Sequence, residues 1–523
     1  MMHVDRRISR CTRGLVVVTL AVLAMSPLWA EQSERDRTEQ WFGEAGLARA
    51  KAKFLSRDFV EAGISLIGYL RDHPESGAAH YAFVQTLMKM RAGERARSAA
   101  EKALEEAPNQ ALAHVAMGDV YFEEGNFPAA GPEYVKAREL DPKVARAYVG
   151  LGRIFETERR LKTARAHFEQ AYLLDPQDPA VLLAMAESAP TNRVAASFWR
   201  RYAKAATYES KGARKQLERR ADLLEFLGDR GSCRPRDVRA HTTVRLAPVR
   251  RPGSTTTRHA LPVAINGAKP GDLMLDTGGN GFLVPESYAD KAGLQRIDFE
   301  EYGSGAVGGL RVIPLALART IAVGEVILED CLVGISPDPQ PEHDYGTVGT
   351  EVFSRDFIVT LDLPRSMFEL AVHPQRPAPD EPVYGYNRDV TKESDGFTPI
   401  RVLDSKILIP TLVNGEVGTY FLLDSGASRS FISLRLAVGL GELVDAPVRI
   451  IGFAGEVSDP KQIADVRLQF AGAVQDHDHM LVLDMRHLRW GLGHDIGGIL
   501  GVPSLNLFKL TIDYRNGLIK VAR

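Results

Sequence analysis

Two stretches of this chain repeat one another at an offset of 148 residues, and any fold it adopts must seat both in equivalent places. The first reads Leu261-Pro262-Val263-Ala264-Ile265-Asn266-Gly267, then Leu273-Met274-Leu275-Asp276-Thr277-Gly278-Gly279. The second reads Ile409-Pro410-Thr411-Leu412-Val413-Asn414-Gly415, then Phe421-Leu422-Leu423-Asp424-Ser425-Gly426-Ala427. Short apolar runs on either side of Asn-Gly predict a tight two-residue β-hairpin. In each copy the second strand delivers an aspartate to a glycine loop. The likeness continues downstream. Gly346-Thr347-Val348-Gly349-Thr350-Glu351-Val352-Phe353 leads to Phe357-Ile358-Val359-Thr360-Leu361-Asp362, and Gly498-Ile499-Leu500-Gly501-Val502-Pro503 leads to Leu510-Thr511-Ile512-Asp513-Tyr514. A duplicated β unit is the economical account.

A lone Asp-Thr-Gly or Asp-Ser-Gly is an ordinary turn. Two of them in matched hairpins, each followed by a hydrophobic-hydrophobic-Gly, resemble the retroviral-type (retropepsin-like) aspartic protease fold. The resemblance covers residues 241–373 and 397–523, with a proline- and charge-rich linker at 374–396. It implies two all-β domains paired about a pseudo-two-fold axis on one chain, with pairing between chains as the alternative. Asp276 and Asp424 would then be the catalytic pair, sharing one proton because two close like charges cannot both ionise. The hydroxyls of Thr277 and Ser425 would brace the opposite loops, and Gly278 and Gly426 would stand where a Cβ has no room. Flaps over the substrate are expected at 302–310, around Gly305 and Gly308, and at 450–457, around Gly452 and Gly455.

The chain departs from the family in three places. Gly279 stands where alanine is usual, and neither Gly349 nor Gly501 is followed by Arg-Asp or Arg-Asn. Gly279 and Ala427 offer the carboxylates no hydroxyl, which predicts an activity optimum nearer neutral than in pepsin-like enzymes.

The first half of the chain obeys a different period. Pro74, Pro108, Pro142 and Pro176 recur every 34 residues. Between them His114, Met117, Gly118, Tyr121, Ala130, Tyr134 and Ala137 match Tyr148, Leu151, Gly152, Phe155, Ala164, Phe168 and Ala171 at the same offsets. This pattern resembles the tetratricopeptide repeat: glycine lets two helices approach, an aromatic fills the gap, alanine stands opposite and proline ends the unit. The expectation is an all-α solenoid with capping helices over 31–207, then a charged helical linker over 208–240. Arrays of this kind resemble protein-docking surfaces, so a partner or substrate segment in the groove is expected, with pure architecture as the alternative.

Residues 1–30 read as a secretory signal: Arg6, Arg7, Arg10 and Arg13 precede the apolar run Leu15–Met25, and Ala30 ends the segment. That run is short for a lasting membrane anchor, so a secreted or periplasmic protein is expected. An oxidising compartment would let Cys233 and Cys331 pair, but a chain of 523 residues has core enough without a bridge. The weightier reading is one linker thiol and one thiol buried in a strand.

Lys and Arg total 65 against 67 for Asp and Glu, which leaves no basic field for nucleic acid. Gly303-Ser304-Gly305-Ala306-Val307-Gly308 matches a dinucleotide fingerprint in letters, but Pro314 and a strand-like alternation follow it where a helix is required. Asp476-His477-Asp478-His479 is read as an inter-strand loop and not as a metal site, and no cofactor is expected. The function expected is an exported aspartic endopeptidase whose array docks substrate or partner. The alternative is a non-catalytic, peptide-binding scaffold.

Overall fold

The computed structural model describes residues 45–250, 257–304, 310–336, 346–373, 396–448, 450–452, 455–457, 459–485 and 496–523. The expected signal segment, the flap glycines Gly305 and Gly308 and nearly all of the linker at 374–396 lie outside these residues. Among the described residues no helix is long and apolar enough to cross a membrane.

Among the described residues of the first half, eleven α-helices run from Ala48–Leu55 to Lys211–Leu227 and stack as antiparallel pairs. The reasons are those the period predicted. A Cβ on Gly118 would fall 2.6 Å from the Tyr134 ring, and one on Gly152 would overlap Phe168. Ala130 and Ala164 are fully buried beside these rings. A further device recurs with the repeat: at three of the four prolines, the residue six positions later bonds back to the proline's carbonyl. His80 Nε2 lies 2.8 Å from Pro74 O, His114 Nε2 3.0 Å from Pro108 O, and the Tyr148 hydroxyl donates to Pro142 O at 3.1 Å. Each of these three turns is thereby tied to the helix that follows it.

The two β halves fold with the same registers. Both Asn-Gly turns place both residues at positive φ (Asn266 51°, Gly267 77°; Asn414 51°, Gly415 77°), the conformation such a hairpin requires. The strand Gly271–Asp276 pairs antiparallel with Thr257–Ile265 and parallel with Thr347–Gly349. Its counterpart Val417–Leu423 does the same with Lys406–Val413 and Gly498–Leu500. A six-stranded sheet then joins the halves, because Phe357–Asp362 pairs directly with Lys509–Asp513. One apolar core runs through both, with Leu275, Val348 and Phe357 from the first half and Leu423, Leu500 and Leu510 from the second. The halves therefore pair within one chain.

The segment 208–240, expected as a helical linker, is helical only over Lys211–Leu227; Ser232–Pro235 is a strand at the edge of the first half's sheet. Cys233 on that strand is disulfide-bonded to Cys331, so the reading as two free thiols is corrected. Strand pairing sets Ser232 opposite Cys331 and so brings the sulfurs together, which spacing in sequence does not disclose. The preceding helix packs Leu223 and Leu227 against Leu315 and Leu317. At the other flank the array meets the second half: the Phe127 and Tyr420 rings pack edge to face at 5.4 Å, Arg401 pairs with Glu158 at 2.7 Å, and Arg159 Nε donates to Tyr514 O at 2.9 Å.

The disulfide closes a 98-residue span, and loops of that size gain most from closure. Cys233→Ser is expected to destabilise the first half by about 2–4 kcal/mol, read as an earlier urea midpoint. An unchanged midpoint contradicts the assignment.

Candidate active site

Asp276 ends the second strand of its hairpin and Asp424 directly follows the end of its own, where the chain turns through Thr-Gly or Ser-Gly toward the other half. The structure brings the two together, with their carboxyl groups hydrogen-bonded to one another. A Cβ on Gly278 would fall 2.7 Å from Asp424 Cγ, and one on Gly426 would fall 2.7 Å from Asp276 Cγ. Any other residue at either glycine would push the carboxyls apart.

The loops are tied by four reciprocal bonds. The Thr277 hydroxyl donates to Leu423 O at 2.8 Å and accepts from Ser425 N at 2.9 Å. The Ser425 hydroxyl donates to Leu275 O at 2.9 Å and accepts from Thr277 N at 3.0 Å. Both hydroxyls are buried, so each missing bond would leave an unsatisfied polar group in the interior. The downstream glycines press on the same loops: a Cβ on Gly349 would fall 2.6 Å from Gly279 O, and one on Gly501 would fall 2.8 Å from Ala427 O. That contact accounts for the recurring hydrophobic-hydrophobic-Gly.

Backbone N–H groups face the carboxyls from their own loops. Gly278 N donates to Asp276 Oδ1 at 2.9 Å, and Gly426 N and Ala427 N donate to Asp424 Oδ1 at 2.8 and 3.0 Å. Burial raises both carboxyls above the usual carboxylate range. For Asp424 the neighbouring Asp276 raises it further, while the backbone donors pull the other way. Two half-buried acids in contact ionise in separate steps, so the pair holds one proton over a span of pH between them.

The second flap candidate is a two-stranded ribbon in which Ile450 pairs with Val457 and Gly452 with Gly455. On the first, Tyr302 pairs with Val312 and Ser304 with Leu310, and the tip between them lies outside the described residues. Asp476–His479, expected as a loop, sit inside the strand Ala473–Leu483. Among the described residues no group of three His, Cys, Asp or Glu side chains could hold a metal.

Two neighbours of the pair escaped the sequence reading. Glu351, two residues beyond Gly349, accepts a hydrogen bond from Gly281 N, and burial pushes its carboxyl up to about 7. Lys406 reaches Asn280 at 3.4 Å and lowers both Asp276 and Glu351 by its charge. The duplication itself could have flagged Glu351, because the matching place in the second copy holds Pro503.

The Aspartyl protease family matches residues 261–352 and again 409–504, and the Tetratricopeptide repeat family matches 81–143 and 115–179. No curated protein matches the chain. Among solved structures it is similar to TTC0263, a thermophilic TPR protein of Thermus thermophilus, at 18% identity over 32% of this chain and 91% of that one (TM-score 0.27). It is also similar to Pseudomonas aeruginosa pilF, at 19% identity over 37% and 86% (TM-score 0.26). The first half thus carries tetratricopeptide repeats, and the second carries, in tandem, two domains that match the retropepsin-like Aspartyl protease family.

Proposed function

We propose that the protein is an exported aspartic endopeptidase, with Asp276 and Asp424 as its catalytic residues. The observation that carries the reading is the contact between the two half-buried carboxyls, held by loops that brace each other. In the reaction, the ionised carboxylate takes a proton from a water whose oxygen attacks the scissile carbonyl carbon. The protonated partner gives its proton to the carbonyl oxygen. Collapse of the tetrahedral diol breaks the C–N bond, a proton passes to the leaving nitrogen, and the pair returns to sharing one proton. No covalent intermediate or cofactor enters. The array docks a substrate or partner protein. Export is supported by the basic-then-apolar segment at 1–30 and by the disulfide, which suits an oxidising compartment.

Single replacements test the pair. Asp276→Asn and Asp424→Asn are each expected to cut kcat on a peptide library by roughly 10²–10⁴-fold with no loss of folded structure by circular dichroism. Full activity in either contradicts the dyad, and an inactive parent protein favours the peptide-binding scaffold.

The bracing hydroxyls make a separate prediction. Thr277→Val leaves the Ser425 N–H and the Leu423 carbonyl without their partner and is expected to cost about 1–3 kcal/mol, together with a lower kcat because the carboxyls lose register. Thermal melts and kinetics on the same preparation check both.

The pH profile follows from the raised carboxyls. A second proton joins the pair on acidification and the shared proton leaves on alkalinisation, and activity falls either way. Since burial raises both steps, the profile of kcat/KM is expected to peak nearer neutral than in pepsin-like enzymes. A maximum below about pH 3 contradicts this.

A further inference from the structure

The two halves are superposable in register, so residues in matching places can be compared row by row. Met274 precedes Asp276 by two residues and Leu422 precedes Asp424 by two, which sets each on the sheet face that carries its aspartate. Strand pairing extends each into a row. In the first half it runs Ala260, Met274, Thr347, Leu283. In the second it runs Leu408, Leu422, Ile499, Phe431.

The rows differ in chemistry and in cover. Every member of the second row is a large apolar residue, exposed by 0% (Leu408), 4% (Leu422), 0% (Ile499) and 8% (Phe431). These four belong to one apolar cluster with Met117, Phe122 and Phe127 of the array and with Ile450 at the base of the second flap. Tyr420, next along the same face, carries the edge-to-face contact with Phe127. In the first row Met274, Thr347 and Leu283 are only half-buried, and none of them belongs to the apolar clusters of the described residues. Ile313 stands over Gly334 beside Leu283 and closes that side.

Resting on the protease reading above, we infer that the first half alone supplies the substrate's side-chain pocket. Met274, Leu283, Thr347 and Ile313 receive an apolar side chain next to the scissile bond, while the second half's matching row is taken up in holding the array. Met274 suits this task because its unbranched thioether adapts to different occupants. The substrate class is then a peptide read on one side of the cleaved bond by a leucine-, methionine- or phenylalanine-like residue and hardly read on the other.

The test is cleavage-site profiling of the full chain on a peptide library randomised at both residues flanking the scissile bond, scored by mass spectrometry. Selection of at least roughly tenfold for apolar over charged residues at one flank, and under about twofold at the other, is expected. Leu283→Ala should move the preferred residue toward larger side chains, with Leu283→Val as the milder variant should the alanine form fail to fold. Phe431→Ala should leave the preference unchanged while lowering the unfolding midpoint. Equal selection at both flanks, or a preference that follows Phe431 and ignores Leu283, overturns the inference and leaves the protease reading standing. A parent protein that cleaves nothing in the library overturns both.

Discussion

The structure depends on bringing two half-buried carboxyl groups into contact. Each aspartate alone would resist that place, because burial disfavours its charge and the neighbour disfavours it further. What holds them is backbone order around the pair: hydroxyls of Thr277 and Ser425 bonded across the axis, glycines that allow the approach, and N–H groups aimed at the acids. Behind these loops stands the sheet in which strands of both halves lie side by side, so the alignment is imposed by the shared core and not by the loops alone.

Much of this was legible because the chain states it twice. The aspartates, their bracing hydroxyls and the downstream glycines recur at nearly constant offsets, and a repeated signal is far less ambiguous than a single one. The array was legible for the same reason: Gly118 and Gly152 stand opposite Tyr134 and Phe168 in the helix pairs that the 34-residue period describes. What stayed hidden was whatever occurs once. The disulfide rests on a strand pairing between Ser232 and Cys331, and the approach of Glu351 to Gly281 depends on how one loop packs. The segment Asp476–His479 looked like a loop because charged residues weaken strand patterning, yet it lies on a strand whose cross-strand partners include Arg467 and Val466.

The array is more than an appendage. It is fastened at two places by different means, through the helix Lys211–Leu227 and the disulfide on the first half, and through Phe127, Glu158 and Arg159 on the second. Apolar packing at both contacts makes relative movement costly, so the array is held at a set distance from the aspartate pair.

Because both acids belong to a single polypeptide, the site assembles in a first-order event. Two separate subunits would have to meet, and at low abundance many would remain apart. Tethering replaces that encounter by a local concentration on the order of millimolar, so the pair stays assembled however far the protein is diluted. The same linkage frees the halves to diverge: a change at Gly279 or Glu351 needs no mirror image at Ala427 or Pro503.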